Sequence, residues 1–217
     1  MTLGVGYSYF QDIESIRRGF PTFANHVDYV FAIDGKYAGN PAPNDFSVDG
    51  STEFIKQWKN VIHRQFLGHE FEKRQQYCNL CKEFGCDYLL IIDTDEYVVE
   101  ADWDLFKSNI EAQISTNPHS SFFGVPFIVD GSGGISYFPR LWFKPYLIEY
   151  YKTHCIFKDG RTGMLVTSGS AAKHSPVIEG ITLTMDDSLR KPENIKNTYE
   201  YQLKMIEMEK PTRDKLW

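Results

Sequence analysis

Cysteine, positive charge and long apolar runs are all scarce in this chain. Four cysteines in 217 residues (Cys78, Cys81, Cys86, Cys155) do not make a disulfide framework at this length. Cys78 and Cys81 have the spacing of half a zinc site, but no second pair matches them, so buried or half-buried thiols on a helix are expected. Acidic residues outnumber Lys and Arg, 29 to 23, and the net charge of −6 argues against a nucleic acid or an anionic membrane as main partner. A nucleotide ligand stays open, because a metal ion can supply the local positive charge. No stretch approaches the ~20 apolar residues of a membrane span. No basic leader precedes the apolar run after Met1. A soluble, reduced, cytoplasmic protein is the expectation. Repeats, low-complexity tracts and inter-domain linkers are also missing, which predicts one domain over residues 1–217. With 42% hydrophobic and 24% charged residues, that domain is globular.

Against these absences stands one conspicuous stretch, Tyr88 to Glu96, Tyr-Leu-Leu-Ile-Ile-Asp-Thr-Asp-Glu. Its unbroken apolar run reads as a strand covered on both faces, the habit of a parallel α/β sheet. In such sheets ligands bind beyond the carboxyl ends of the strands. Asp93, Asp95 and Glu96 sit at that end and repel one another, and a divalent cation resolves the repulsion. On an extended segment Asp-x-Asp turns both carboxylates to one side. Oxygen ligands with room for water and phosphate favour Mg²⁺ or Mn²⁺ over Zn²⁺.

Leu3 to Phe10 reads as an opening strand. Asp12 caps a helix carrying Ile13, Ile16 and Phe20, ended by Gly19 and Pro21. Val27 to Ile33 is a second strand, and it too stops on an acid, Asp34. Residues 35–50 form a loop. Phe54, Ile55, Trp58, Val61 and Ile62 fall at helical spacing behind a cap at Ser51 or Thr52. A helix from about Glu70 to Phe84 stops at Gly85 and feeds the central strand. Asp102 caps another, with Leu105, Phe106, Ile110 and Ile114 inward. From Ser121 the pattern changes to aromatic-rich antiparallel strands as far as Phe157. Residues 158–176 read as loop, Ile181 to Thr184 as a short strand, and Pro192 to Glu209 as a final helix.

Strands ending in an aromatic segment (Gly6-Tyr7-Ser8-Tyr9), in Asp34-Gly35 and in Asp93-x-Asp95 together resemble the nucleotide-diphospho-sugar glycosyltransferases of the GT-A fold, most of all family-2-type enzymes. Glu72-Lys73-Arg74-Gln75 adds to the match. Pro139-Arg140-Leu141-Trp142, and Gly180-Ile181 with Asp186, Asp187 and Arg190, are similar to that family's acceptor-side segments. More loosely, the compact form resembles glycosyltransferase domains that large DNA viruses use to decorate their capsids. The resemblance implies an α/β fold: a mainly parallel, Rossmann-like central sheet flanked by helices, with an antiparallel acceptor-side subregion. Residues 1–100 would be the nucleotide-binding half and 101–217 the acceptor-binding half.

The resemblance implies metal-dependent transfer from a nucleotide diphosphate sugar, UDP-linked by preference, to a glycan or glycoprotein acceptor. In that reading Asp95 is the direct metal ligand, and Asp93 serves the ribose and a metal-bound water. Asp34 accepts from the base imide N–H, Tyr7 or Tyr9 stacks on the base, and Arg74 holds the diphosphate. Relatives often have a histidine where this chain has Met185, a poor ligand for Mg²⁺ or Mn²⁺. His174, in a Ser/Gly-rich stretch, is the favoured third ligand, with His154 next. An inverting reaction needs a base at the acceptor hydroxyl, and Asp130, Glu149 and His154 are the candidates. A retaining reaction needs none. The rivals are a haloacid-dehalogenase-like phosphatase, with Asp93 as nucleophile and Mg²⁺ bound, and a non-catalytic carbohydrate-binding domain. The phosphatase pattern wants Thr or Val where Tyr97 stands.

Overall fold

The computed structural model describes residues 1–128, 134–151, 156–185 and 200. Asp130, His154, Cys155, Asp186, Asp187, Arg190 and nearly all of the expected helix from Pro192 to Glu209 lie outside the described residues.

Four parallel strands form one half of the large sheet: β1 (Leu3–Tyr9), β2 (Tyr29–Asp34), β3 (Val61–Gln65) and β4 (Tyr88–Asp93), in the order β3-β2-β1-β4. The sheet continues from β4 through β7 (Ile135–Phe143), β6 (Phe122–Ile128), β11 (Ile181–Met185) and β5 (Glu96–Ala101). β7 runs antiparallel to both neighbours and β5 antiparallel to β11. A second, antiparallel sheet joins β8 (Ile148–Tyr150), β9 (Ile156–Asp159) and β10 (Leu165–Thr167). The helices are α1 (Ile13–Gly19), α2 (Ser51–Ile55), α3 (Glu70–Phe84), α4 (Trp103–Thr116) and α5 (Ser168–His174).

Alternation along β4 explains its apolar run. Leu90 and Ile92 enter one core with Val5, Val30, Ile16 and Phe106, while Leu89 and Ile91 enter the other beneath Tyr77, Cys78 and Cys81 of α3. Each face is covered, so no position on the strand is free to be polar until its end. Gly4 and Gly6 lie under the α3 side, where a Cβ on Gly6 would come within 2.6 Å of the Tyr77 ring. That close approach needs glycine, and it fixes the parity of β1.

Several expected boundaries hold. Gly85 ends α3 in the left-handed region at φ 67°, and the Asp102 carboxylate accepts from the Leu105 N–H at the start of α4. The hairpin β6–β7 is antiparallel as expected. Three readings need correction. The helix that starts at Ser51 stops at Ile55; Val61 and Ile62 belong to β3, an edge strand. Leu105 is exposed, although Phe106 and Ile110 are buried. Part of 158–176 is ordered as β10 and α5, the latter capped by the Thr167 hydroxyl accepting from the Ser170 N–H. No helix among the described residues is long and apolar enough to cross a membrane.

Candidate active site

The parallel strands β2, β1 and β4 end together. Tyr9 is level with Asp34 and Ser8 with Asp93, so both acidic strand ends share one sheet edge, the edge where α/β folds bind ligands. At that edge Asp93 is held by two arginines. Arg74 Nη2 donates to Oδ1 at 2.7 Å and Arg140 Nη1 to Oδ2 at 3.3 Å. Arg74 also pairs with Glu70, one helical turn earlier, at 2.9 Å. Arg140 Nη2 donates to Glu96, whose other oxygen accepts from the Asp93 N–H at 2.9 Å. Glu70, Arg74, Asp93, Arg140 and Glu96 thus form one continuous ionic cluster.

Burial sets the electrostatics of this cluster. Glu96 is 3% exposed, and burial pushes its carboxyl up to about 8 against the opposing pull of Arg140. Burial alone would lower the Arg140 guanidinium, but Glu96 and Asp93 outweigh it and leave its affinity for the proton raised. Arg74 behaves likewise between Asp93 and Glu70. Both arginines stay charged.

Beside the cluster lies a cleft of about 270 Å³. Glu70, Arg74, Asp93 and Arg140 form its polar side, and Ile91, Phe138, Trp142, Tyr150 and Phe157 its apolar wall. This combination of aromatic faces and a few convergent charged groups is what small-molecule sites share.

The structure brings Asp93 and Arg74 together as expected, but as partners of each other. Asp95 does not continue the strand: Thr94 and Asp95 make the turn between β4 and β5, and Asp95 is half-buried there. Period-two alternation therefore does not set its direction. Tyr7 and Tyr9 are core residues, 0% and 2% exposed, because the glycines of β1 take the α3 side; Tyr7 faces Phe20 and Phe23, and Tyr9 packs by Tyr7 and His63 with its hydroxyl 2.9 Å from that of Thr52. Neither offers a ring to a base. Asp34 is fully buried too; it accepts from the Ser47 N–H and hydroxyl and from the Thr52 hydroxyl, and so ties down the 35–50 loop.

His174 and Glu149 are placed elsewhere. His174 ends α5 beside Ser120, Ser121 and Phe122, at the amino end of β6. Since β6 and β4 both run antiparallel to β7, that is the opposite sheet edge from Asp93. Glu149 is exposed on β8, with Ile148 and Tyr150 on either side facing inward. The aromatics of the antiparallel strands divide as well: Trp142 and Tyr150 are buried, whereas Tyr137, Phe138 and Tyr146 are exposed.

Glu70 escapes the sequence reading, and Lys73 and Arg140, present in the matching segments, are given no role by it. Lys73 is 1% exposed, and its Nζ donates to the carbonyls of Tyr9 at 2.9 Å and Gly35 at 2.5 Å. Gly35 itself has φ 141°, and a Cβ there would collide with the Phe66 carbonyl. Gly35→Ala is accordingly expected to lose about 3 kcal/mol of stability in chemical denaturation. A loss below ~0.5 kcal/mol would contradict the close approach.

With this geometry in view, the fold has counterparts. It matches the structure of S. aureus TarS 1–349 at TM-score 0.55, 11% identity and 94% of this chain. It matches TarS 1–349 in complex with UDP-GlcNAc at TM-score 0.53, 13% identity and 86% coverage. The complex with UDP gives 0.52 at 12% identity. The likeness is one of fold. It is the α/β fold expected from the sequence, a large, mostly parallel curled sheet with flanking helices. This chain spans 59–64% of those TarS 1–349 chains and 39% of the chain in a longer TarS structure. No family model matches the chain, and no curated protein does. The looser likeness to viral capsid-decorating domains gains no support from these structures.

Proposed function

We propose that this protein is a glycosyltransferase that moves a sugar from a nucleotide diphosphate sugar, UDP-linked by preference, to a glycan or protein-linked acceptor. The observation that carries the reading is the Glu70–Arg74–Asp93–Arg140–Glu96 cluster, set at the carboxyl edge beside an aromatic cleft. Support comes from the fold, shared with TarS structures in complex with UDP-GlcNAc and with UDP. Residues 1–100 would hold the nucleotide and 101–217 the acceptor.

Among the described residues no three His, Cys, Asp or Glu side chains are grouped to cage a metal. Asp93 and Asp95 are hard oxygen donors, and Mg²⁺ or Mn²⁺ bound through one or two carboxylates takes its other ligands from water and phosphate. They fit an ion that arrives with the diphosphate; Asp95 would bind it directly and Asp93 through water. Once bound, it supplies Lewis-acid neutralisation of the leaving diphosphate. The chain's own share is electrostatic positioning. Arg74 and Arg140, locked by their carboxylate partners, present preorganised positive charge where negative charge develops. Phe138 and its neighbours exclude water from the sugar. Asp34 serves the base indirectly, by holding the 35–50 loop. For the acceptor base, Asp130 and His154 remain the proposed residues, since Glu149 faces away from the cleft. His174 has no part in this reading. A phosphatase would need Asp93 as a free nucleophile, whereas both its oxygens accept from guanidiniums.

The test is release of UDP from a panel of UDP-hexoses and UDP-N-acetylhexosamines, with and without Mn²⁺. Release from at least one donor, dependent on metal, is expected. No release from any donor, with turnover of a generic phosphate ester lost in Asp93→Asn, would replace the transferase by the phosphatase.

A further inference from the structure

Lys73 has no part in the chemistry just described, yet it is the only lysine among the described residues that is fully buried. It sits on the first turn of α3, between the ends of β1 and β2. Its ammonium reaches the carbonyl of Tyr9, the last residue of β1, and that of Gly35, the first residue beyond β2. The third side of the same nitrogen faces the ring of Tyr37, 5.0 Å from the centroid. Two carbonyls and a π face are three acceptors, which matches the three donors of an ammonium and leaves nothing for an amine lone pair to accept.

These contacts meet where the 35–50 loop departs. The loop is further pinned by Gly35 N–H to Tyr9 O at 3.3 Å, Lys36 N–H to Asp45 O at 2.9 Å and Ala38 N–H to Gly68 O at 2.8 Å. We propose that Lys73 is a positioning residue, whose charged nitrogen ties β1 to β2 and sets the shape of the 35–50 loop on the nucleotide side of the site. The nucleotide part of this statement rests on the proposed transferase function; the loop part does not.

Charge makes the tie conditional. Burial lowers the Lys73 ammonium from its usual range to about 7, with Asp34 of β2 and Glu70 of α3 opposing and Arg74 adding to the fall; Tyr37 of the loop completes its surroundings. Below about 7 the folded and unfolded chains are both charged there, and the fold carries the full penalty of burying the charge. As pH rises from about 7 towards ~10.4 the folded form is neutral and that penalty is relieved. Stability through Lys73 therefore grows in the window where the tie weakens.

Amide hydrogen exchange tests the loop directly, in the full chain without ligand. Corrected for intrinsic rates, exchange at Gly35, Lys36 and Ala38 is expected to accelerate about tenfold in wild type as pH passes upward through 7. In Lys73→Met it should be fast at every pH, with Phe106 and Ile110 of α4 unchanged. Lys73→Gln, which keeps a short neutral donor, provides the comparison if Lys73→Met folds poorly. Wild-type protection and pH profile in either folded variant would overturn the proposal. UDP titrated into the same proteins with Mn²⁺ separates the two claims. Roughly tenfold weaker binding in the variant supports the positioning role, and equal binding overturns its nucleotide part. Absence of UDP binding in wild type counts against the transferase, and the exchange data then decide the Lys73 tie alone.

Discussion

Asp95→Ala is expected to lower sugar transfer by at least ~10²-fold. Asp95 lies in the turn between β4 and β5, half-buried and outside both hydrophobic cores. On the proposed reading, removing its carboxylate takes away the charge that would hold the metal, while both hydrophobic cores keep their packing. Asp93→Ala makes the informative contrast. Asp93 anchors Arg74 and Arg140, so its loss takes a carboxylate partner from each guanidinium as well as removing a proposed metal contact. Its activity defect should come with a stability defect. Wild-type transfer in Asp95→Ala, measured as UDP release at saturating Mn²⁺, would remove Asp95 from the site.

Arg140→Leu should be among the most destabilising single changes available at this edge, at about 3–5 kcal/mol. Glu96 is 3% exposed and faces Arg140 as its countercharge. Deleting the arginine leaves the buried Glu96 carboxyl without its guanidinium partner and takes a partner from Asp93. Breaking one side of a buried pair costs far more than the pair contributes, because the remaining group keeps its desolvation penalty. The double variant Arg140→Leu/Glu96→Gln should therefore recover much of the loss in urea denaturation. Additive effects of the two substitutions would contradict a direct Arg140–Glu96 coupling.

How far the sequence reveals this site depends on whether a residue's role is local or remote. β4 is legible because both its faces are apolar and its end is acidic, and α3 because Gly85 marks where it stops. Gly35 after Asp34 marks the edge of β2 in the same way. β3 is misread because Phe54, Ile55, Trp58, Val61 and Ile62 satisfy helical spacing, although only the first two lie in α2. Half-buried edge strands carry little alternation to compete with such a pattern. Tyr7 and Tyr9 point away from the site for a reason visible only in the packing, namely the approach of Tyr77 over Gly6. The Arg140 contacts join residues 44 and 47 positions apart, and no local motif announces them. Lys73 looks like an ordinary helix-surface lysine until the ends of β1 and β2 are seen to close over it.

On the proposed reading, the carboxyl edge of β1, β2 and β4 binds a nucleoside diphosphate with a divalent metal. Thermal unfolding with UDP, GDP, CDP and dTDP, each with and without Mn²⁺, tests it most directly. A ligand that binds only the folded chain stabilises it by about 2.7 kcal/mol at a hundredfold excess over Kd. An upward shift with UDP that requires Mn²⁺ and disappears in Asp95→Ala is expected. A wild-type protein whose melting temperature ignores all four nucleotides, with metal present and at millimolar excess, would contradict it.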